Sequence, residues 1–173
     1  NAGESVKMLY TYVSSTNKAK ILRIREEDED IPVASTHTWA EGGKHILRYS
    51  FTNHTVPYDM FNGVTAITGI EIGDCVTSLE SYAFKGTSIE RVVIPETITS
   101  FGSSLFYDCV HLKHAVLPKG ITEIYDSMFR GCESLQSIDI PDGVTRFGDF
   151  AFDGCASLAS IILPAGVTYV GNY

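Results

Sequence analysis

The sequence predicts an α/β-type repeat solenoid, a fold in which short coils of similar sequence stack along one axis. The first observation is a spacing of 23 residues between successive prolines, at Pro95, Pro118, Pro141 and Pro164. A fixed period of this length is typical of solenoids. The second observation is that apolar residues keep the same places between the prolines. Because stacked coils bring equivalent positions together, these residues predict a continuous buried core.

The buried columns follow from the positions after each proline. Phenylalanine stands eleven residues after it, and cysteine three residues further on. These positions hold Phe106, Phe129 and Phe152, and Cys109, Cys132 and Cys155. An upstream copy between Val76 and Pro95 retains Phe84 but lacks one residue where the cysteine is expected. The array is therefore predicted to begin before the first regular interval.

Each coil is predicted to have a strand half and a return half. The runs SIERVVIP, SLQSIDIP and SLASIILP alternate branched apolar residues with others and end at proline, which has no backbone N–H to donate. Stacked in parallel, they predict a β-sheet on one face, with about 4.8 Å between adjacent strands. The return half is short and contains glycine, so we expect a single turn of α-helix or 3-10 helix there.

Residues 1–50 lack the repeat and predict a β-rich N-terminal cap, and residues 51–173 predict about five coils of solenoid. Within the cap, residues 6–13 and 19–25 are interpreted as a β-hairpin and residues 46–51 as a further strand. A cap is expected because the first coil of a solenoid otherwise exposes its apolar end. Tyr173 stands nine residues after Pro164, so the array is predicted to be truncated in mid-repeat.

The segments FGDFAFDGCASLASIILP and ILPAGVTYVGNY follow the pattern L-x-x-I-x-L-P-x-x-V-T-x-I-G-x-x-A-F-x-G-C-x-S almost letter for letter. This pattern resembles the BspA-like class of bacterial leucine-rich repeats. The resemblance implies a right-handed leucine-rich-repeat stack from a secreted or cell-surface bacterial protein, with adhesion to host or other extracellular proteins as the associated function. It implies no catalytic residues and no cofactor.

Composition and the absence of certain motifs exclude several classes of function. The formal net charge of −8 at pH 7 argues against nucleic acid, which needs basic residues to neutralise phosphate. No apolar run is long enough to span a membrane. The sequence has no G-x-S-x-G, P-loop or H-E-x-x-H motif, so we predict a protein that is not an enzyme.

The cysteines at the repeat interval fit a disulfide, a metal site or ordinary packing. Because equivalent side chains in adjacent coils point in the same direction, we predict reduced, buried thiols that act as small apolar groups. Cys109, His111 and His114 lie close in sequence but belong to different columns, so we predict no metal site. The acidic run at residues 26–30 lacks the ligand spacing of an EF-hand and is interpreted as a solvated loop, with calcium binding left open.

The candidate binding site is the outward face of the predicted sheet. Exposed apolar patches often mark binding surfaces, although branched residues also suit any strand. The face is predicted to present Glu71, Arg91, Val93, His114, Val116, Asp139 and Ile162. The expected partner is an extracellular protein of host or bacterial origin. The alternatives are a glycan, stacked on Trp39 and tyrosines, and a structural spacer that carries another domain.

Overall fold

The computed structural model describes residues 54–172 with their side chains and, before them, the backbone of five strands. These strands are β1 (Lys7–Leu9), β2 (Ile21–Glu26), β3 (Glu29–Ile31), β4 (Thr36–Thr38) and β5 (Leu47–Phe51). The chain divides into two compact units, residues 1–54 and residues 55–173.

The first unit contains two antiparallel sheets in its described part. One has the order β3-β2-β5, and the other pairs β1 with β4. The strands expected at residues 19–25 and 46–51 are therefore present. The expected hairpin between residues 6–13 and 19–25 is wrong, because β1 pairs with β4 whereas β2 forms its hairpin with β3. The acidic residues Glu26 and Glu29 are paired across that hairpin, and the role of this unit as a cap stays a prediction.

The second unit is built from very short parallel strands. In its described residues these are β6 (Thr55–Val56), β7 (Ser78–Leu79), β8 (Arg91–Val93), β9 (Ser100–Phe101), β10 (His114–Val116), β11 (Glu123–Ile124), β12 (Ser137–Asp139), β13 (Arg146–Phe147) and β14 (Tyr169–Val170). They fall into two sets. β8, β10 and β12 end shortly before Pro95, Pro118 and Pro141, and the other strands occupy the segment that follows the proline or its equivalent position.

The set before the prolines, which we call the pre-proline ladder, has the strand order β12-β10-β8. Each strand pairs in parallel with the equivalent residues of the next coil, so that Val92 lies beside Ala115. These two inward residues are 1% and 4% exposed. The alternation of apolar residues therefore places one side of each strand in the core, and the predicted parallel sheet is confirmed.

The set after the prolines, the post-proline ladder, lies where the sequence analysis placed no sheet. It comprises one sheet of β6, β7 and β9 and another of β11, β13 and β14. Glycine allows close approach of the coils here, because a Cβ at Gly102 would meet the backbone of Ser81, and a Cβ at Gly148 would meet the backbone of Asp126. The ladder is interrupted between β9 and β11, where Tyr125 stands in place of glycine.

The return halves differ from the expectation, because their described residues contain no helix. Their amides alternate between two kinds of partner: Phe106 donates to Met128 of the next coil, whereas Tyr107 donates to Ser104 of its own coil. A helix needs consecutive negative φ values, but φ is +57° at Ser104 and +73° at Gly131. The helical turns and the α/β description are therefore wrong. The unit is a parallel-strand β-solenoid of about five turns.

A stack of phenylalanine rings forms the centre of the core. Its members are Phe61, Phe84, Phe106, Phe129 and Phe152. Neighbouring ring centroids are 5.5–5.6 Å apart, and the interplanar angles are 7–12°. Such aromatic pairs stabilise a fold by about 0.5–1.5 kcal/mol beyond the burial of their area. The predicted phenylalanine column is confirmed and continues upstream to Phe61.

The cysteine column lies beside these rings. Cys109 and Cys132 are fully buried, and their thiols donate to the carbonyl oxygens of Phe84 and Phe106 in the preceding coils. Burial raises the pKa of the Cys109 thiol to about 11 and raises the pKa of Cys132 as well. In the coil before them Thr87 takes the cysteine position and also donates to Phe84. The residue missing from the upstream copy is therefore lost after Thr87, not at the cysteine position.

Candidate functional site

The predicted binding residues lie mainly on the outward face of the pre-proline ladder. The strand register sets Arg91 beside His114, and it sets Val93, Val116 and Asp139 side by side. The first and last residues of each three-residue strand therefore face outward as two columns, while the middle residue enters the core. This arrangement follows from the period of two along a strand.

Two exposed valines form an apolar stripe in one of these two columns. Val93 is 50% exposed and Val116 is 37% exposed, and they occupy neighbouring strands at an expected spacing of about 4.8 Å. Ile162 is 87% exposed and Glu71 is also exposed, but neither belongs to a strand. The structure thus brings the predicted residues together on the ladder except for Glu71 and Ile162, which lie outside it.

Polar contacts between neighbouring coils lie beside the stripe. Lys113 Nζ lies 2.9 Å from Glu90 Oε2 in the preceding coil, and this hydrogen bond, together with the charge of Lys113, lowers the pKa of the Glu90 carboxyl. His114 Nδ1 lies 2.9 Å from Ser137 Oγ of the next coil. Because these groups are exposed, solvent screens them and they contribute little to stability. They do orient the side chains that border the stripe.

An open depression of about 570 Å³ lies at the β8 end of the ladder. Residues 68–72 line one part of it, and Glu90, Arg91, Val93 and Pro95 line the other. Three of the predicted binding residues, Glu71, Arg91 and Val93, are therefore brought to one concave surface. Its volume falls in the range of about 300–1,000 Å³ that ligand sites usually have.

A second surface feature, a row of contacts between cations and aromatic rings, lies on the return halves and is absent from the sequence-based predictions. Lys85 Nζ lies 5.0 Å from the ring centroid of Tyr107, and the Arg130 guanidinium lies 5.6 Å from that ring and 5.0 Å from the ring of Phe150. Arg130 Nε also pairs with Asp153 Oδ2 at 3.0 Å. Reading the column directly after each phenylalanine would have revealed this alternation of cations and rings. Its members bind one another, which indicates a role in holding the coils together.

The other candidate sites are not assembled in the described residues. Cys109 is buried, His111 is exposed and His114 contacts Ser137, and no group of three His, Cys, Asp or Glu in the described part could hold a metal ion. Trp39 and the side chains of the acidic run lie outside the described residues. Within the same residues, no helix has the length and apolar character needed to cross a membrane.

Comparison with known proteins adds the family. The protein-family model for the BspA type leucine-rich repeat region matches residues 54–173 of this sequence, in six copies. The crystal structure of the T. pallidum leucine-rich repeat protein TpLRR is similar, with 28% sequence identity and a TM-score of 0.57 over 60% of this chain and 49% of that chain. No match was found among curated proteins.

A leucine-rich repeat protein from Eubacterium ventriosum ATCC 27560 has a similar fold over 92% of this chain and 51% of its own. The sequence identity is 20% and the TM-score is 0.52. This chain therefore spans about half the length of each of these two solved proteins.

Proposed function

This chain belongs to the BspA-type leucine-rich-repeat family, and from that membership we propose that it is a non-enzymatic protein-binding module of a bacterial cell-surface or secreted protein. The observation that carries the proposal is the exposed stripe of Val93 and Val116 on a strand ladder whose other side is buried. The proposed partner is an extracellular protein of host or bacterial origin, and the proposed role is adhesion.

The stripe has the physical properties of an interface centre. Its valines are held on paired strands, so little conformational entropy is lost when a partner covers them. Burial of apolar area stabilises a complex by about 25 cal/mol per Å² before the costs of association are subtracted. Arg91 and His114 lie in the neighbouring outward column, and Asp139 follows the valines in their own column, so charged and polar side chains adjoin the stripe. An apolar centre with a polar rim is the usual anatomy of a protein–protein interface.

We propose no catalytic role and no cofactor. In the described residues, the most strongly shifted pKa values are those of the Cys109, Cys132 and Cys155 thiols, which burial raises. A raised pKa keeps a thiol protonated and makes it a poor nucleophile. These residues line neither the stripe nor the depression, so they support a packing role.

The test is a binding measurement with two matched variants. The double substitution Val93→Ser and Val116→Ser should reduce affinity for a partner protein at least tenfold in surface plasmon resonance against a panel of purified host and bacterial extracellular proteins. Val110→Ser is the control, because Val110 is as exposed as Val116, at 37%, but lies outside the ladder. Equal binding by the parent chain and both variants would contradict the proposal, and an absence of binding to the whole panel would favour the spacer.

A glycan-binding role is the second candidate. It is supported by Tyr58, which is 52% exposed and contacts the ring of Tyr82 edge-on at a centroid distance of 5.7 Å. An exposed tyrosine can bind a sugar, because the sugar packs on the face of the ring while the hydroxyl group remains in contact with water. Binding on a glycan array that Tyr58→Ala or Trp39→Ala abolishes, with no effect of the valine substitutions, would favour this candidate over the protein partner.

A further inference from the structure

In the described residues the pre-proline ladder has two unpaired edges, at β12 and at β8, and the edge at β8 adjoins the depression. Residues 68–72 precede β8 by one coil, but they form no strand and do not pair with β8. In the described residues, the one backbone hydrogen bond that joins the two segments runs from the amide of Glu90 to the carbonyl of Thr68, at 3.3 Å. β8 is therefore an edge strand, whereas β10 is paired on both sides.

This edge presents backbone groups at defined positions. In a parallel pair, alternate residues direct both of their backbone groups toward the same neighbouring strand. The amide of Ile94 donates to Val116 of the next coil at 2.9 Å, so the backbone groups of Arg91 and Val93 point away from β10. Neither residue has a backbone partner on that side in the described part of the chain. The edge thus offers two N–H donors and two C=O acceptors, two residues apart.

The depression opens onto the same edge. Its lining combines the apolar residues Ile70, Ile72, Val93 and Pro95 with two carboxylates, Glu71 and Glu90, and one cation, Arg91. A group that pairs with the free backbone of β8 would therefore also bury apolar side chains in the depression. The unpaired backbone groups require an occupant with extended backbone, because a helix satisfies its own N–H and C=O groups.

We propose that an extended segment of a partner protein adds to β8 as a further strand and fills this depression. The proposal rests on the proposed function and names the conformation in which the partner is bound. The segment is expected to alternate apolar residues with others and to carry Lys or Arg. Glu71 has no ion pair in the described residues, and the net charge of −8 attracts basic segments.

The first experiment uses a phage-displayed library of random linear peptides selected against the chain. The enriched peptide is then synthesised with N-methyl groups at successive positions, which removes one backbone donor at a time while keeping the side chains. Strand addition predicts that affinity falls at least tenfold at every second position and changes little between them. A loss without this period of two, or the absence of any enriched peptide, would overturn the proposal.

The second experiment follows the edge itself by amide hydrogen exchange. The amides of Arg91 and Val93 should exchange quickly in the free chain and at least tenfold more slowly with the selected peptide bound, whereas the amide of Ile94 should be protected in both states. Slow exchange of Arg91 and Val93 in the free chain would mean that residues 68–72 already close the edge, and it would overturn the proposal. Unchanged exchange on peptide binding would have the same effect.

A pair of variants at one position separates backbone from side-chain recognition. Val93→Pro removes the N–H that points away from β10, and proline is tolerated on edge strands with that orientation. Val93→Ala removes most of the side chain and keeps the N–H. Strand addition predicts that Val93→Pro weakens peptide binding at least tenfold more than Val93→Ala does, and equal losses contradict it. Retained protection of Ile94 shows that the proline variant is folded.

The outcomes also distinguish this inference from the proposed function. Suppose that Val116→Ser abolishes binding of a partner protein while Val93→Pro acts no more strongly than Val93→Ala. The sheet face is then an interface, and strand addition fails. Suppose instead that the period-two pattern appears while Val116→Ser has no effect. The peptide then binds at the edge, and the stripe on the sheet face plays no part.

Discussion

The interior of the solenoid and the outward face of its pre-proline ladder differ in regularity. Inside, phenylalanine follows phenylalanine from Phe61 to Phe152 at a nearly constant 5.5–5.6 Å. Outside, the column that begins with the exposed valines continues to a carboxylate, as Val93, Val116 and Asp139. The same register thus imposes repetition on one side and permits variation on the other. Stability is therefore expected to depend on the interior and recognition on the outward face.

The largest expected effect comes from breaking the interior. Phe129→Ala removes the ring that stacks on both Phe106 and Phe152 and leaves a cavity at a fully buried position. Replacement of a buried phenylalanine by alanine usually costs about 3–5 kcal/mol in the free energy of unfolding. Urea denaturation measures the loss, with Val110→Ala as an exposed control. A loss close to that of the control would show that the stack is not the centre of stability.

The next effect concerns the buried thiols and pH. The pKa of Cys109 is raised from its usual value near 9 to about 11 by burial, so the unfolded chain ionises before the folded one does. Stability from this burial is complete below pH about 9 and falls as the pH rises toward 11. At pH 11 the expected loss for Cys109 is about 2 kcal/mol, and Cys132 adds to it in the same direction.

The measurement is the free energy of unfolding between pH 8 and pH 11, as read by denaturant titration. The double variant Cys109→Ala and Cys132→Ala should reduce the dependence and leave the part that comes from Cys155, whose pKa burial also raises to about 11. Cys75→Ala should leave the dependence unchanged because Cys75 is exposed. Cys75 should also be the thiol that reacts fastest with a thiol reagent in the folded chain. A double variant as pH-dependent as the parent would refute this account.

A smaller effect is expected at a buried hydroxyl group that has no hydrogen-bond partner in the described residues. The hydroxyl oxygen of Thr97 is buried and has no hydrogen-bond partner in the described part of the chain. Thr97 stands where the following coils have Gly120 and Gly143. Because an unsatisfied buried polar group is costly, the near-isosteric substitution Thr97→Val should stabilise the chain by about 1 kcal/mol. Thermal or urea unfolding measures it against Thr99→Val at an exposed position, and a destabilised Thr97→Val would reveal a partner for the hydroxyl.

The same contrast explains which features the sequence could predict. The 23-residue interval identifies which residues stack, so it predicted the Phe106 and Cys109 columns and the outward positions of Val93 and Val116. It carries no information on the sign of φ. Ser104 adopts a φ of +57° without a glycine to signal it, and positive values at this column replace the expected helical turns by alternating bonds to neighbouring coils.

The depression could not be predicted for a related reason. Residues 68–72 contain Gly69, Ile70 and Ile72, a composition that is compatible with a strand. Whether they pair with β8 depends on the register of a coil that has lost one residue after Thr87, and a one-residue change alters which backbone groups meet. Reading the repeat column by column assigned Glu71 to the same column as Val93 and Val116, but the structure leaves Glu71 outside the ladder.

The smallest expected effect on stability belongs to the outward face. Val116→Ser exchanges a partly exposed branched residue on the central strand of the ladder, and strand preferences of this kind span about 1 kcal/mol. Its cost should therefore stay below about 1 kcal/mol, several times less than that of Phe129→Ala, because no cavity forms and no hydrogen bond is lost. Urea denaturation and partner binding should be measured on the same preparation. A large loss of stability would make Val116 part of the core and would remove the contrast on which the binding proposal depends, whereas lost affinity with retained stability would place recognition on the variable face.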